Sequence, residues 1–319
     1  MEIFQRLLNV IIQFDMSTIE HEVLIIDNNS LPELEQHTVV KSFLSQKQNA
    51  RVITVKQPGL TPARIVGMGK AKYDWIIFFD DDNEPAADYL FAASEIIKKY
   101  PAVGALGPGV VNVVYPNSFY EKRFTGIKDI FQFRNSEVPR FSNDQWWQDC
   151  YPAGTGLIIR KQITEAYADN VIKGVYRLAD RTGKSLSSGG DLQMVLSAVK
   201  MGYKAGIHPG LSMNHHIAID KLSISYLKKL SFGTAASNVP GHLQVWDNIN
   251  YKQFAPPTSK AIVNQIYFHF KIKLFRDGYL KTNISFCAYL GALKGLYEIN
   301  PTVQPSFLWK LMCKVFRLS

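Results

Sequence analysis

The chain has 319 residues, 46% hydrophobic and 20% charged, a globular balance that argues against disorder and supplies one large core or two smaller ones. Its formal charge of +9 admits nucleic acid, anionic lipid or a phosphorylated ligand as partner without choosing among them. Cys150, Cys287 and Cys313 are too few and too scattered for a disulfide framework or a zinc site, and no stretch reaches the roughly 18 uninterrupted apolar residues of a membrane span.

The opening, MEIFQRLLNVIIQF, carries Glu2 and Gln5 where a secretory signal would be basic, so the expectation is a soluble or peripherally attached cytoplasmic protein. Phe4, Leu7, Leu8, Ile11 and Ile12 recur at helical spacing and predict an amphipathic helix over 2–14. The period then changes. EVLII (Glu22 to Ile26), RVITV (Arg51 to Val55) and WIIFF (Trp75 to Phe79) read as strands, with helical stretches over 33–46 and 61–72 between them. That alternation predicts an α/β fold with a mostly parallel sheet, helices on both faces and ligands at the carboxyl ends of strands. Asp27, Gln57 and the run Asp80, Asp81, Asp82 lie at such ends. Pro85 suits the first turn of a helix continued by Tyr89, Leu90, Ala93, Ile96 and Ile97, which would set the acids beside that helix's positive end. Val103 to Val114 reads as another strand, Tyr115 to Asp149 as a long polar and aromatic loop, Gly154 to Arg160 as a strand and Gly190 to Met201 as a helix. GYKAGIHPGLSMNHH closes a core of residues 1–220, and residues 221–319 form a helical, basic region.

The stretch IIFFDDDNEP poses the chemical question. Adjacent carboxylates repel one another and resist desolvation, so a cation is expected beside Asp80 to Asp82. A hard divalent ion, Mn²⁺ or Mg²⁺, prefers carboxylate oxygens and keeps water and ligand phosphate in its remaining positions; the plain alternative is a solvated turn capping a helix. A calcium loop is excluded, because Pro85 stands at the sixth place, which requires glycine, and Phe91 at the twelfth, which requires glutamate. GMGK (Gly67 to Lys70) lacks the preceding glycine and following Ser/Thr of a phosphate loop. Arg64, on the helix before the acid-bearing strand, reads either as a bidentate diphosphate clamp or as a surface arginine.

In order and spacing, EVLIIDNNS, GLTPARIVG and IIFFDDDNEP resemble the inverting nucleotide-sugar glycosyltransferases of family 2, which have the GT-A fold. The resemblance implies that Asp27 contacts the nucleobase, Arg64 the nucleotide or diphosphate, and Asp80 the ribose side, with Asp81 beside it in the donor site. Asp82 would hold the divalent cation bridging the phosphates of a nucleoside-diphosphate-sugar. Ile65 replaces the family's usual asparagine. PAGTGLIIRK resembles the acceptor-side strand, and SSGGDLQM stands where the family shows GEDxEL, which places Asp191 as catalytic base with Gly190 in place of the usual glutamate. An N-cap role for Asp191 is compatible with that one. In an inverting transfer this carboxylate takes the acceptor hydroxyl's proton as the oxygen attacks the anomeric carbon, while metal and arginine stabilise the departing diphosphate.

NHHI stands where the family carries a histidine that assists metal or diphosphate, and the resemblance favours His215 over His216; the alternative is a merely hydrogen-bonded pair at a strand end. Trp146 and Trp147 offer indole faces to an acceptor sugar, or pack within their own loop. No Gln-x-x-Arg-Trp motif follows Asp191, which by resemblance favours addition of a single sugar over processive synthesis.

The family's first strand, of the type SVIIPTYN, is missing, since this sequence opens on the helix. In the family that strand lies mid-sheet beside the aspartate-bearing one. Without it, backbone groups on both neighbours would lose partners, so either the sheet closes differently or about 20 residues upstream of Met1 complete it. The function expected is a metal-dependent inverting glycosyltransferase moving one sugar, from a uridine-based donor by preference, to a glycan or lipid-linked acceptor in cell-surface polysaccharide synthesis. The basic residues from Lys221 onward suggest peripheral contact with an anionic membrane at the inner face of the plasma membrane, or a solvated helical cap. A nucleotidyltransferase with the same metal and nucleotide site is one alternative. A non-enzymatic basic module is the other; nucleic acid is not an expected partner, because net charge alone supports it.

Overall fold

The structure is a computed structural model that describes residues 1–14, 19–178, 186 and 189–318. In chain order the first half contains α1 (Glu2–Gln13), β1 (Val23–Asp27), α2 (Thr38–Gln46), β2 (Ala50–Thr54), α3 (Leu60–Lys70), β3 (Trp75–Ile77), β4 (Asn83–Pro85), α4 (Tyr89–Lys99) and β5 (Val103–Val114). After it come α5 (Ser118–Phe124), β6 (Arg134–Asn135), β7 (Arg140–Ser142), β8 (Ile158–Arg160), α6 (Lys161–Ile172), α7 (Gly190–Lys200) and β9 (Lys204–His216). The remainder is helical: α8 (Ile224–Val245), α9 (Ser259–Tyr267), α10 (Leu274–Ile299) and α11 (Phe307–Phe316).

The α/β architecture follows from the period-2 alternation of the strands. On β5, Ala105 faces one core and Leu106 the other; on β8, Ile159 and Ile158 divide in the same way. One core takes Tyr167 of α6 and Met194 and Leu196 of α7, and the other takes Leu7 and Leu8 of α1, Val40 and Phe43 of α2 and Ala93 and Ile96 of α4. Helices therefore cover both faces. The parallel pairings are β1 with β2 and the long pair β5 with β9, which runs from Val103 opposite Lys204 to Val114 opposite His216. The short strands β3, β4, β6, β7 and β8 pair antiparallel.

Three local expectations change. Pro85 is the last residue of β4, paired with Met213, and α4 begins only at Tyr89, so the acids do not sit at a helix N-terminus. Asn83 and Glu84 are drawn into the sheet because β9 presents an edge to them, a tertiary pairing that outweighs the proline's preference for a helix start. The stretch from Tyr115 to Asp149 is not one loop: it holds α5, capped by Asn117 accepting the backbone N–H of Phe119, a 3₁₀ segment and two short edge strands. His37, in extended conformation, divides the helical stretch over 33–46 into a 3₁₀ turn and α2.

Among the described residues each of β1 and β3 is paired along one edge only, β1 by β2 and β3 by β8. Val23 N–H donates to Asn49 and Val55 N–H to Asp27, so the backbone groups of Leu24 and Ile26 point away from β2. Phe78 N–H donates to Leu157 and Lys161 N–H to Asp74, so those of Trp75 and Ile77 point away from β8. Among the described residues nothing pairs with either edge. A cavity of 1090 Å³ lies against both, with Leu7, Ile11 and Phe14 of α1 along it. Unmet donors and acceptors beside apolar walls are a template for strand addition.

The C-terminal helices are joined to this core through α7. Gln244 of α8 accepts both the Arg177 backbone N–H at 2.7 Å and the Gln193 side-chain amide at 2.9 Å. α10 crosses α8 so closely that Gly291 lies on the Phe232 carbonyl and Gly295 on the Ala236 carbonyl, where a Cβ has no room. Among the described residues no helix is long and apolar enough to cross a membrane.

Met1 lines the cavity together with Asp80, Asp81 and Asp82. A segment of about six alternating Val, Ile and Thr residues, joined ahead of Met1 through a short glycine linker, is expected to enter the cavity parallel to β1 and raise the thermal midpoint by about 4 °C or more. An unchanged midpoint in differential scanning calorimetry would show that water already satisfies both edges.

Candidate functional site

Asp82 is buried at 6% exposure where β4 meets β9. The register that sets Asn83 opposite His215, together with the His216 N–H donating to the Asp82 carbonyl at 2.9 Å, brings the two sites together. His215 Nε2 then stands 3.4 Å from Asp82 Oδ2, while its Nδ1 donates to the Phe131 carbonyl at 2.9 Å. The Lys221 ammonium reaches the same Oδ2 at 2.7 Å, and the Asn83 amide donates to Oδ1 at 3.0 Å. Burial by itself would raise the Asp82 carboxyl, but the hydrogen bond and charge of His215 and the ammonium of Lys221 outweigh it and hold the group far below the usual carboxylate range. Conversely, burial would lower His215 and Lys221, and Asp82 raises both. His216, on the opposite face of the strand, pairs with Glu84 at 2.6 Å instead.

Across the same cavity Arg64 of α3, 6% exposed, is ion-paired with Asp191 at the start of α7. The Arg64 guanidinium also lies 5.6 Å from the centre of the Phe78 ring. Arg64, Asp191, Asp80, Asp81, Asp82 and Lys221 all line this cavity, so the two acids proposed for separate tasks share one cleft. Burial and the neighbouring Asp82 charge raise the Asp81 carboxyl. Ser187 and Ser188 of the SSGGDLQM stretch lie outside the described residues.

Asp27, expected by resemblance to contact the nucleobase, lies behind residues Asn28 and Ser30 that line the cavity and does not itself line it. It is fully buried, and its two oxygens accept the Ser30 N–H at 2.9 Å and the Leu34 N–H at 2.8 Å. Those bonds overcome burial and lower its pKa, and they shape the turn that presents Asn28 and Ser30 to the cavity. Asn28 in turn accepts the Gly59 N–H at 2.7 Å, tying this turn to the start of α3. Trp146 stacks on His242 at 5.0 Å, and Trp147 meets Tyr151 edge-on at 5.6 Å while its backbone N–H donates to His242 Nε2. The Trp146 indole packs the loop against α8, the Trp147 indole packs on Tyr151, and neither lines the cavity.

Lys221 and Gln132 are cavity residues that sequence reasoning missed. Gln132, in the left-handed region at φ 63°, follows the carbonyl that holds His215 and leaves its buried Oε1 without a partner. Lys221 reads in sequence as the first residue of the basic tail, and no local pattern separates it from the other lysines.

Among the described residues no group of three or more His, Cys, Asp or Glu side chains is assembled for a metal. Asp82 and His215 supply two donors, which fits an ion that takes one or two protein ligands and completes its shell with water and phosphate. The Phe131 carbonyl fixes the His215 ring with Nε2 toward that site, the usual outer-shell support for a ligating imidazole. The fit carries one condition, because Lys221 holds the same carboxylate oxygen.

The model of glycosyl transferase family 2 matches residues 2–167, just over half of the sequence, and the chain belongs to that family. Among solved structures the chain is similar to GalNAc-T7, crystallised with UDP, GalNAc and Mn²⁺, at 17% identity and a TM-score of 0.45, covering 73% of this chain and 43% of that one. It is also similar to residues 1–349 of S. aureus TarS, at 14% identity and a TM-score of 0.40, covering 98% and 82%. For the same part of TarS in complex with UDP-GlcNAc the values are 12%, 0.44, 93% and 88%. The chain thus spans less than half the length of the first of these. No curated protein matches the sequence.

Gly154, in the PAGTG turn, abuts the Asp191 carboxylate: a Cβ there would lie 2.7 Å from Asp191 Cγ. Gly154→Ala is expected to force Asp191 from Arg64 and cost about 1–3 kcal/mol in urea denaturation, most of which should vanish in an Asp191→Ala background. Equal costs in the two backgrounds would mean that the carboxylate yields freely.

Proposed function

We propose that the protein is a metal-dependent inverting glycosyltransferase that moves a single sugar from a nucleoside-diphosphate-sugar, uridine-based by preference, to a glycan or lipid-linked acceptor in cell-surface polysaccharide synthesis. The observation that carries this reading is the placement along one cavity of Asp82, which His215 and Lys221 contact, and of Arg64 paired with Asp191. In the proposed complex the donor diphosphate lies between them. Asp82 and His215 would hold the divalent ion, which when bound would supply positive charge against the phosphates. Arg64 turns from Asp191 toward the diphosphate, a bidentate partner of matching geometry. Asp191, relieved of its ion pair, accepts the proton of the acceptor hydroxyl as that oxygen forms its bond to the anomeric carbon and the bond to the leaving diphosphate breaks. A nucleotidyltransferase would release inorganic diphosphate instead, which product analysis separates at once.

The C-terminal region is the part proposed to meet a membrane surface from the cytoplasmic side. Phe307, Leu311 and Val315 form an exposed row along α11, interleaved with Lys310 and Lys314, and Phe275 is 90% exposed beside Lys273 and Arg276. Exposed apolar side chains among cations suit an anionic lipid interface.

Calorimetric titration with UDP, GDP and dTDP, with and without Mn²⁺, is expected to show metal-dependent binding of one nucleotide. Asp191→Asn is expected to lower sugar transfer by about three orders of magnitude while leaving nucleotide affinity within about threefold. Full activity in that variant would assign the base to another residue. In sedimentation with anionic vesicles, Phe307→Ser with Lys310→Glu is expected to reduce bound protein by about tenfold, and unaltered sedimentation would remove the membrane reading.

A further inference from the structure

Lys221 lies on the short 3₁₀ turn Ile219–Leu222 directly after β9, anchored by its backbone N–H to Ala218 and by the buried side chain of Leu222. Its own side chain is 28% exposed and reaches into the cavity to hold Asp82 Oδ2 at 2.7 Å. His215 approaches that same oxygen at 3.4 Å. A divalent ion on Oδ2 would face an ammonium at hydrogen-bond distance from its own ligand atom, and like charges so close repel strongly in a partly desolvated site. The ammonium must therefore leave before the ion can settle. Once displaced it needs another anion; of the other acids that line the cavity, Asp80 and Asp81 adjoin the ion's own ligand in the chain, and Asp191 is held by Arg64. A diphosphate in the same cleft is the partner whose charge and reach match.

We propose that Lys221 is a tethered counter-cation that competes with the divalent ion for Asp82 and makes tight metal binding conditional on a diphosphate that receives the ammonium. The proposal rests on the donor-site reading above. It assigns Lys221 to binding and positioning: it neutralises the buried acid when the cleft holds no donor, and joins the phosphate shell when it does. Positive coupling between metal and nucleotide follows, because each removes the obstacle to the other.

Titration of Mn²⁺ alone into the full chain tests the competition without any need for turnover. Lys221→Met is expected to bind Mn²⁺ about tenfold more tightly than the wild type, and Lys221→Arg to stay near the wild-type value. UDP is expected to tighten Mn²⁺ binding about tenfold in the wild type and far less in Lys221→Met. Lys221→Gln provides the same comparison should the methionine variant not fold, with thermal midpoints recorded for each. Equal Mn²⁺ affinities in the wild type and the neutral variants, or no Mn²⁺ binding by the latter, would overturn the proposal. Failure of UDP to bind the wild type under any condition overturns the diphosphate's receiving role together with the donor reading, whereas the competition for Asp82 is decided by Mn²⁺ alone.

Discussion

A buried carboxylate must be matched by positive charge, and Asp82 is the group whose matching organises this molecule. Taken out of water alone it would protonate or unfold its surroundings. Two partners prevent this, the His215 imidazole from the end of β9 and the Lys221 ammonium from the turn that follows. Their arrival depends on strand register. A slip of one residue between β4 and β9 would exchange His215 for His216 and turn the cluster inside out, since successive side chains face opposite sides of the sheet. The long parallel pairing of β5 with β9 gives that register its rigidity.

The second charged pair has a different support. Arg64 comes from α3, just after the turn organised by Asp27 and Asn28, and Asp191 from the first turn of α7. Gly154 leaves the room in which the Asp191 carboxylate sits. In each pair a carboxylate meets a cationic side chain, Asp82 with Lys221 and Asp191 with Arg64. The cleft between them is continuous with the unfilled slot between β1 and β3, so whatever alters the spacing of those strands also alters the donor side of the cavity.

Much of this was legible in the chain before folding. The alternation of EVLII, RVITV and WIIFF with helical stretches predicted the layered α/β core, because a period of two and a period of 3.6 bury different faces. The acidic run marked a place where a cation was expected, since adjacent carboxylates repel one another and resist desolvation. Asp27 was legible as special but not in its role: an aspartate after a strand serves equally as a ligand or as the acceptor that closes a turn, and only the positions of the Ser30 and Leu34 N–H groups separate the two. Pro85 was misread because its local preference for a helix start competes with an edge pairing to a strand well over a hundred residues away. Trp146 and Trp147 were ambiguous for the same reason, with their partner His242 arriving from α8.

What the sequence alone determined is therefore the kind of fold, the order of its elements and the acids around which a cation must gather, all properties set by short-range periodicity and by the local cost of crowding like charges. Tertiary structure decided which cation gathers there and which acids are free to act. Lys221 meets Asp82, and Arg64 meets Asp191, across 139 and 127 residues of chain. No local pattern encodes such distances, because they are fixed by how strands register and helices pack, and charge then follows geometry.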